Sequence, residues 1–284
     1  MTHLSRLLLA ATVLVAPSAF AADYDPPIVV DEAPEYQPVE IGSGWYLRGD
    51  IGYGMGVSTG TATYRTYDSG TATYSDNTFA TSAISTGFNG GIGFGYRFTD
   101  YLRADATVDY IRGRFDGTTV SATPCLDPIA NPGYASTTCR SEDSATFEAL
   151  SPMVNAYADL GTYAGFTPYL GAGVGVAFVR WNDLTNEQYC VDGGAVCPAP
   201  AYIGATTHPG ESSWRFAWAA MAGVSYDVSK NTKIDVGYKY RHISGGSMFG
   251  FDSSTASAGA TGVQGKDGGF SQHEVRVGLR YEIW

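Results

Sequence analysis

His242 and Ser244 stand two positions apart, the spacing that puts an imidazole and a hydroxyl on one face of an extended strand. In that setting the ring could take the proton as the hydroxyl attacks a carbonyl carbon, but no acid is placed to orient the ring. The simpler account makes His242 a strand-end residue beside the first residue of a loop. Gly171, Gly173 and Gly175 form a glycine run, yet they lack the strand–turn–helix setting that aims amides at a phosphate. Asp183, Glu187 and Asp192 do not have the spacing of a calcium loop, and His208, in Thr-Thr-His-Pro, is a loop residue. No metal or cofactor site is expected. Cys125, Cys139, Cys190 and Cys197 fall as two close pairs in polar stretches. Of the three possible pairings the local ones, 125 to 139 and 190 to 197, are favoured; zinc is the weaker reading, because no histidine stands at finger-like spacing.

A larger chemical pattern lies in the charged residues. In the stretch 273–284, Val275, Val277, Leu279, Tyr281 and Ile283 alternate with a polar row that contains Glu274, Arg276, Arg280 and Glu282, so one face of the strand is apolar and the other ionic. The same alternation predicts strands over 45–57, 87–98, 102–110, 147–160, 168–179, 214–228 and 233–243. Their polar faces carry Arg48, Asp50, Arg97, Arg103, Asp105, Asp109, Asp159, Arg215, Asp227, Asp235, Lys239 and Arg241, mixed with glycine. On the first strand Gly56 is expected on the polar face and Val57 on the apolar face. Pro152 predicts a bulge or irregular pairing, since proline cannot donate to a ladder.

These strands need an apolar exterior, a polar interior and no open edge, which a closed barrel in a membrane supplies. The connections alternate in length. Segments 58–86, 112–145, 180–213 and 244–271 are long, whereas 99–101, 161–167 and 229–232 are short. The expected fold is therefore an all-β, eight-stranded antiparallel up-and-down transmembrane barrel with four long extracellular loops and three short periplasmic turns. Within 58–86 the repeated Gly-Thr-Ala-Thr-Tyr around Asp68, Ser69 and Gly70 predicts a hairpin, and 244–271, rich in Gly, Ser and Ala, is expected to be mobile. A barrel of eight strands is only wide enough for its own side chains, so the lumen should be a packed polar core of near-balanced charge.

The export signals agree. Arg6, the apolar run 7–15 and Ala19-Phe20-Ala21 form a secretory leader, 1–21, and 22–44 is an acidic, proline-rich periplasmic tether to a barrel over 45–284. No later run approaches the roughly 20 apolar residues of a membrane helix. Removing the leader takes away Arg6 from 17 basic residues and no acid from 28, leaving 16 against 28 and a formal charge of −12. Nucleic acid is an unsuitable partner for such a chain. The content of 36 Gly, 20 Tyr and 13 Phe suits strands that cross an apolar–aqueous boundary.

Gly44 to Tyr53, Asn155 to Leu160, Phe166 to Gly175 and the closing Gly278 to Ile283 resemble the small outer-membrane β-barrel proteins of α-proteobacteria, which are similar to the OmpA membrane domain and to opacity-type surface proteins. The resemblance covers 45–284 and implies an abundant surface protein or antigen of the cell outer membrane, with no catalytic residues to carry over. It also implies partners: outer-membrane lipid and lipopolysaccharide, the assembly machinery that reads the last strand, and a host or surface ligand on the loops. The assembly signal of that family ends on an outward aromatic, whereas here alternation ends on Ile283 and leaves Trp284 over. His242 and Ser244 resemble the His-x-Ser of outer-membrane lipid A deacylases, although Gly245 replaces that family's Asn. The leading expectation is a structural, surface-exposed barrel; a narrow ion pore, adhesion through the loops and lipid A hydrolysis are the alternatives.

Overall fold

The computed structural model describes residues 44–121, 123–198 and 201–283. The expected leader, nearly all of the tether and Trp284 lie outside the described residues. The strands are β1 (Trp45–Thr59), β2 (Thr63–Asp68), β3 (Thr73–Thr78), β4 (Thr81–Thr99), β5 (Leu102–Ser121) and β6 (Thr138–Asp159). They continue with β7 (Phe166–Trp181), β8 (Leu184–Val191), β9 (Tyr202–His208), β10 (Ser212–Asp227), β11 (Thr232–Gly250) and β12 (Val263–Glu282). Eight of them, β1, β4, β5, β6, β7, β10, β11 and β12, follow one another antiparallel around a barrel. β12 returns to β1, from Glu282 opposite Tyr46 to Phe270 opposite Thr59, so this sheet leaves no barrel edge unpaired.

Facing follows the alternation of the chain. Ile51, Phe88 and Ile92 are about 70 % exposed on the outside, as 68, 74 and 72 %, while Arg103, Asp109 and Glu274 are fully enclosed. One detail differs from expectation. Gly56, at φ +67°, is an extra residue in the β1–β12 ladder, and this bulge turns Val57 inward against the core. At Pro152 the expected irregular pairing is present, without a bulge: the ladder with β5 is unbroken, and pairing with β7 lapses at Ser151 and Pro152 without a change of register.

Much of the expected loop sequence is strand. β5 and β6 stay paired out to Ser121 and Cys139; where β7 leaves β6 at Trp181, β8 takes its place and β9 pairs with β8. β2 and β3 form the hairpin foreseen in 58–86, where Asp68 Oδ1 accepts the amides of Gly70 at 2.8 Å and Thr71 at 3.2 Å. Segment 244–271 is not the mobile coil expected from its composition. Its two arms are paired strands joined by a short helix, α1 (Ser253–Ser257), capped by Asp252.

Beyond the row of Tyr110, Leu150 and Phe178 the two faces of the sheet exchange character. Arg112, Arg114 and Asp116 now point outward on β5, while Ile111 and Phe115 point inward. Below this row the exterior is apolar and the interior charged; above it the exterior is mostly polar and the interior mostly apolar, with Arg215, Asp267 and Asp143 as buried exceptions.

Candidate functional site

The lower barrel holds an ionic layer. Asp109, on β5, accepts from Lys239 Nζ at 2.7 Å, Arg241 Nη2 at 2.5 Å and Arg276 Nη2 at 2.6 Å, the last through its other oxygen. Arg276 also binds Glu274, so three cations share two carboxylates in a site sealed from solvent. Nearer the short-turn rim, Arg48 grips Asp50 and Asp105, each at 2.7 Å, and donates to Tyr157 Oη at 2.9 Å. Arg103 donates to Asp159 at 3.1 Å and stacks on Tyr157 and Tyr169, while Arg280 reaches Asp235 at 3.3 Å. A Cβ at Gly52 would strike the Glu274 carboxylate and one at Gly91 the Asp109 carboxylate, which is why small residues line these strands. Gly171, Gly173 and Gly175 belong to β7 and stand against Tyr157, Asn155 and Met153.

Some expected members lie elsewhere. Arg97 is a third exposed and bridges Glu282 at 3.4 Å and Asp100 at 3.8 Å at the rim, where Lys233 also holds Asp227 at 2.6 Å. Arg215 lies in the upper barrel and binds Asp267 at 2.7 Å, a carboxylate of the segment 244–271 that the alternation assigns to a loop. Tyr46, Asn155, Tyr157 and Ser225 were not assigned to the layer, yet each bonds within it. For Tyr46 the signal was present: it precedes Arg48 and Asp50 at alternate positions on one face.

A second layer crosses the barrel above the ions, and it is apolar. Ile111, Phe115, Phe147, Val179, Trp181, Ile243, Phe249 and Phe270 form one buried cluster. Phe147 packs against Trp181 at 4.7 Å and Phe270 at 5.4 Å between ring centroids. The packed polar lumen foreseen from the sequence therefore occupies only the lower part. The reason is solvent: where the barrel rises out of an apolar surround its exterior becomes polar, so its interior must supply an ordinary hydrophobic core.

His242 and Ser244 make no hydrogen bond to each other. His242 Nδ1 lies 2.9 Å from Ser271 Oγ, its ring packs on Trp218 at 5.9 Å, and no carboxylate bonds to it among the described residues. Through Trp218, which also packs on Tyr240, it joins Tyr238, Tyr240 and His273 in an aromatic belt at the outer surface. Asp183, Glu187 and Asp192 accept separately from Gly210 N, Tyr189 Oη and Thr138 Oγ1. Cys125 bonds Cys139 and Cys190 bonds Cys197, the two local pairs.

A closed eight-strand sheet with an apolar band outside and buried ion pairs inside is a barrel built for lipid. The outer membrane protein beta-barrel domain family matches residues 48–282. This chain belongs to that family. It is 37 % identical to an uncharacterized protein of Brucella abortus over 94 % of this chain and 93 % of that one. It is also similar to outer membrane protein PagN of Salmonella typhimurium, at 29 % over 60 and 68 % of the two chains, and to opacity protein opA65 of Neisseria gonorrhoeae, at 26 % over 68 and 76 %. The barrel lies in the cell outer membrane. The family is of the surface or structural type, not typically enzymatic.

In the long hairpin between β11 and β12, Asp252 caps α1 by accepting the amides of Ser254 at 2.9 Å and Thr255 at 3.0 Å. Burial would raise this carboxyl, but hydrogen bonds from Ser254 and Thr255 pull it down to about 2 from the usual 3.8. The stabilisation is thus fully present above the usual value and is lost as pH falls through about 2. Asp252→Ala should cost about 1 kcal/mol locally. The check is amide exchange over 253–260, which should accelerate while exchange in the lower barrel stays unchanged.

Proposed function

We propose that this protein is a sealed barrel whose role is structural and surface-presenting rather than conductive. The observation that carries the reading is the apolar layer stacked on the ionic one: an ion crossing the lumen would have to shed water among Phe147, Phe270 and Ile243 after passing a packed cluster of fixed charges. In planar bilayers the purified protein should give no reproducible conductance steps. Regular steps at low voltage would reject the reading and favour the narrow pore.

Adhesion through the extracellular hairpins is the second reading. Its support is the exposure of apolar side chains far from lipid, with Ile129 at 92 % and Val120 at 57 %, on a hairpin joined by the Cys125–Cys139 bridge. Deleting 250–268 would be a poor test, because it removes Asp267 from buried Arg215. Ile129→Glu with Val120→Glu leaves the core alone and should lower attachment of expressing cells to a host-cell layer severalfold. Unchanged attachment would count against this hairpin as the contact.

A further inference from the structure

The row where the sheet faces exchange character carries cations on its outer side. Arg112 on β5, Glu148 on β6 and Arg180 on β7 are consecutive cross-strand neighbours, and all three point outward. Directly below them lies the apolar row of Tyr110, Leu150 and Phe178, where the lipid band ends. The arginines are two strands apart, about 10 Å at the usual strand spacing. Arg112 pairs with Glu148 at 3.2 Å and keeps 70 % of its side chain exposed; Arg180 makes no ion pair among the described residues. Asp183 and Glu211 share a hollow with Arg180 without binding it, and Arg114, one row higher, is engaged by Asp116 at 2.8 Å. A groove of about 430 Å³ runs between Arg112 and Arg114, floored in part by Gly87, where an added Cβ would meet nothing.

A chain of formal charge −11 has no general attraction for an anionic surface, so two guanidiniums at this height need a local reason. We propose that Arg112 and Arg180 bind the phosphorylated headgroup of an outer-leaflet glycolipid, whose acyl chains lie on Tyr110, Leu150 and Phe178. A guanidinium meets a phosphate through two parallel N–H donors, and the spacing suits a headgroup phosphorylated at both ends. The groove beside Arg112 gives room for sugar, and Glu148 holds Arg112 in place without neutralising Arg180.

The test is native mass spectrometry of the detergent-solubilised barrel with bisphosphorylated lipid A, phosphatidylglycerol and inorganic phosphate as separate probes. Wild type should retain lipid A in preference to phosphatidylglycerol. Arg112→Gln with Arg180→Gln should retain it about ten-fold less, the loss of two charge-assisted contacts, and Arg140→Gln, higher on the same face, should behave as wild type. Should the double variant fail the heat-modifiability test for folding, Arg180→Gln alone, which breaks no ion pair, should still show reduced retention. Equal retention by the variants, equal binding of phosphatidylglycerol, or displacement of lipid A by millimolar phosphate would each overturn the proposal. None of these results bears on conductance, so the sealed-barrel reading stands or falls separately.

Discussion

Asp109→Ala should lower the unfolding free energy of the barrel by about 3–5 kcal/mol, the usual cost of removing one partner from a buried ionic group. Lys239, Arg241 and Arg276 all donate to this one carboxylate, and without it Glu274 alone would face three enclosed cations. These groups are enclosed away from bulk solvent, which therefore offers little compensation. Urea titration of the refolded protein in lipid vesicles, followed by tryptophan fluorescence, gives the free energy directly. Adding Lys239→Met to Asp109→Ala should recover part of the loss, since one stranded cation goes with it. A loss below about 1 kcal/mol would mean that the cluster relaxes or hydrates, and that the lumen is wetter than its packing indicates.

Phe147→Ala should cost a comparable amount, about 3–5 kcal/mol, through lost burial and the cavity left behind. Its ring lies between Trp181 and Phe270 and fills the space in front of Gly113, so neighbours held in paired strands can collapse only partly. Leu279→Ala makes the comparison sharp. Leu279 is 54 % exposed in the isolated chain but faces hydrocarbon, and losing it opens no enclosed cavity. In the same vesicle titration it should cost clearly less than Phe147→Ala. If the two losses were equal, Phe147 would not be part of a packed layer. Conductance should stay absent in Phe147→Ala, because the ionic layer beneath it is untouched.

The membrane strands were legible because their alternation is a local property. Period-two facing is set by the pleat, and the demand for apolar groups on the lipid side leaves few registers open. That is why Val275, Val277, Leu279 and Tyr281 could be assigned outward and Glu274, Arg276 and Arg280 inward without coordinates. The predicted strand 102–110 stopped where the phase of the alternation inverts, between Tyr110 and Arg112. The inversion was itself a signal: Ile111 and Phe115 continue the inward row as apolar residues, which marks the barrel leaving lipid rather than the strand ending.

On its own the sequence determined which side chains of the membrane strands turn toward lipid, Val57 excepted, and that the sheet closes, and it favoured the local pairs among three possible cysteine pairings. The tertiary structure alone decided that Asp109 collects Lys239, Arg241 and Arg276, that Arg215 finds Asp267, and that an apolar layer caps the ions. Facing depends on a residue's immediate neighbours and its solvent, whereas the choice of partner depends on strand stagger and closure, which bring together groups more than a hundred positions apart across the lumen.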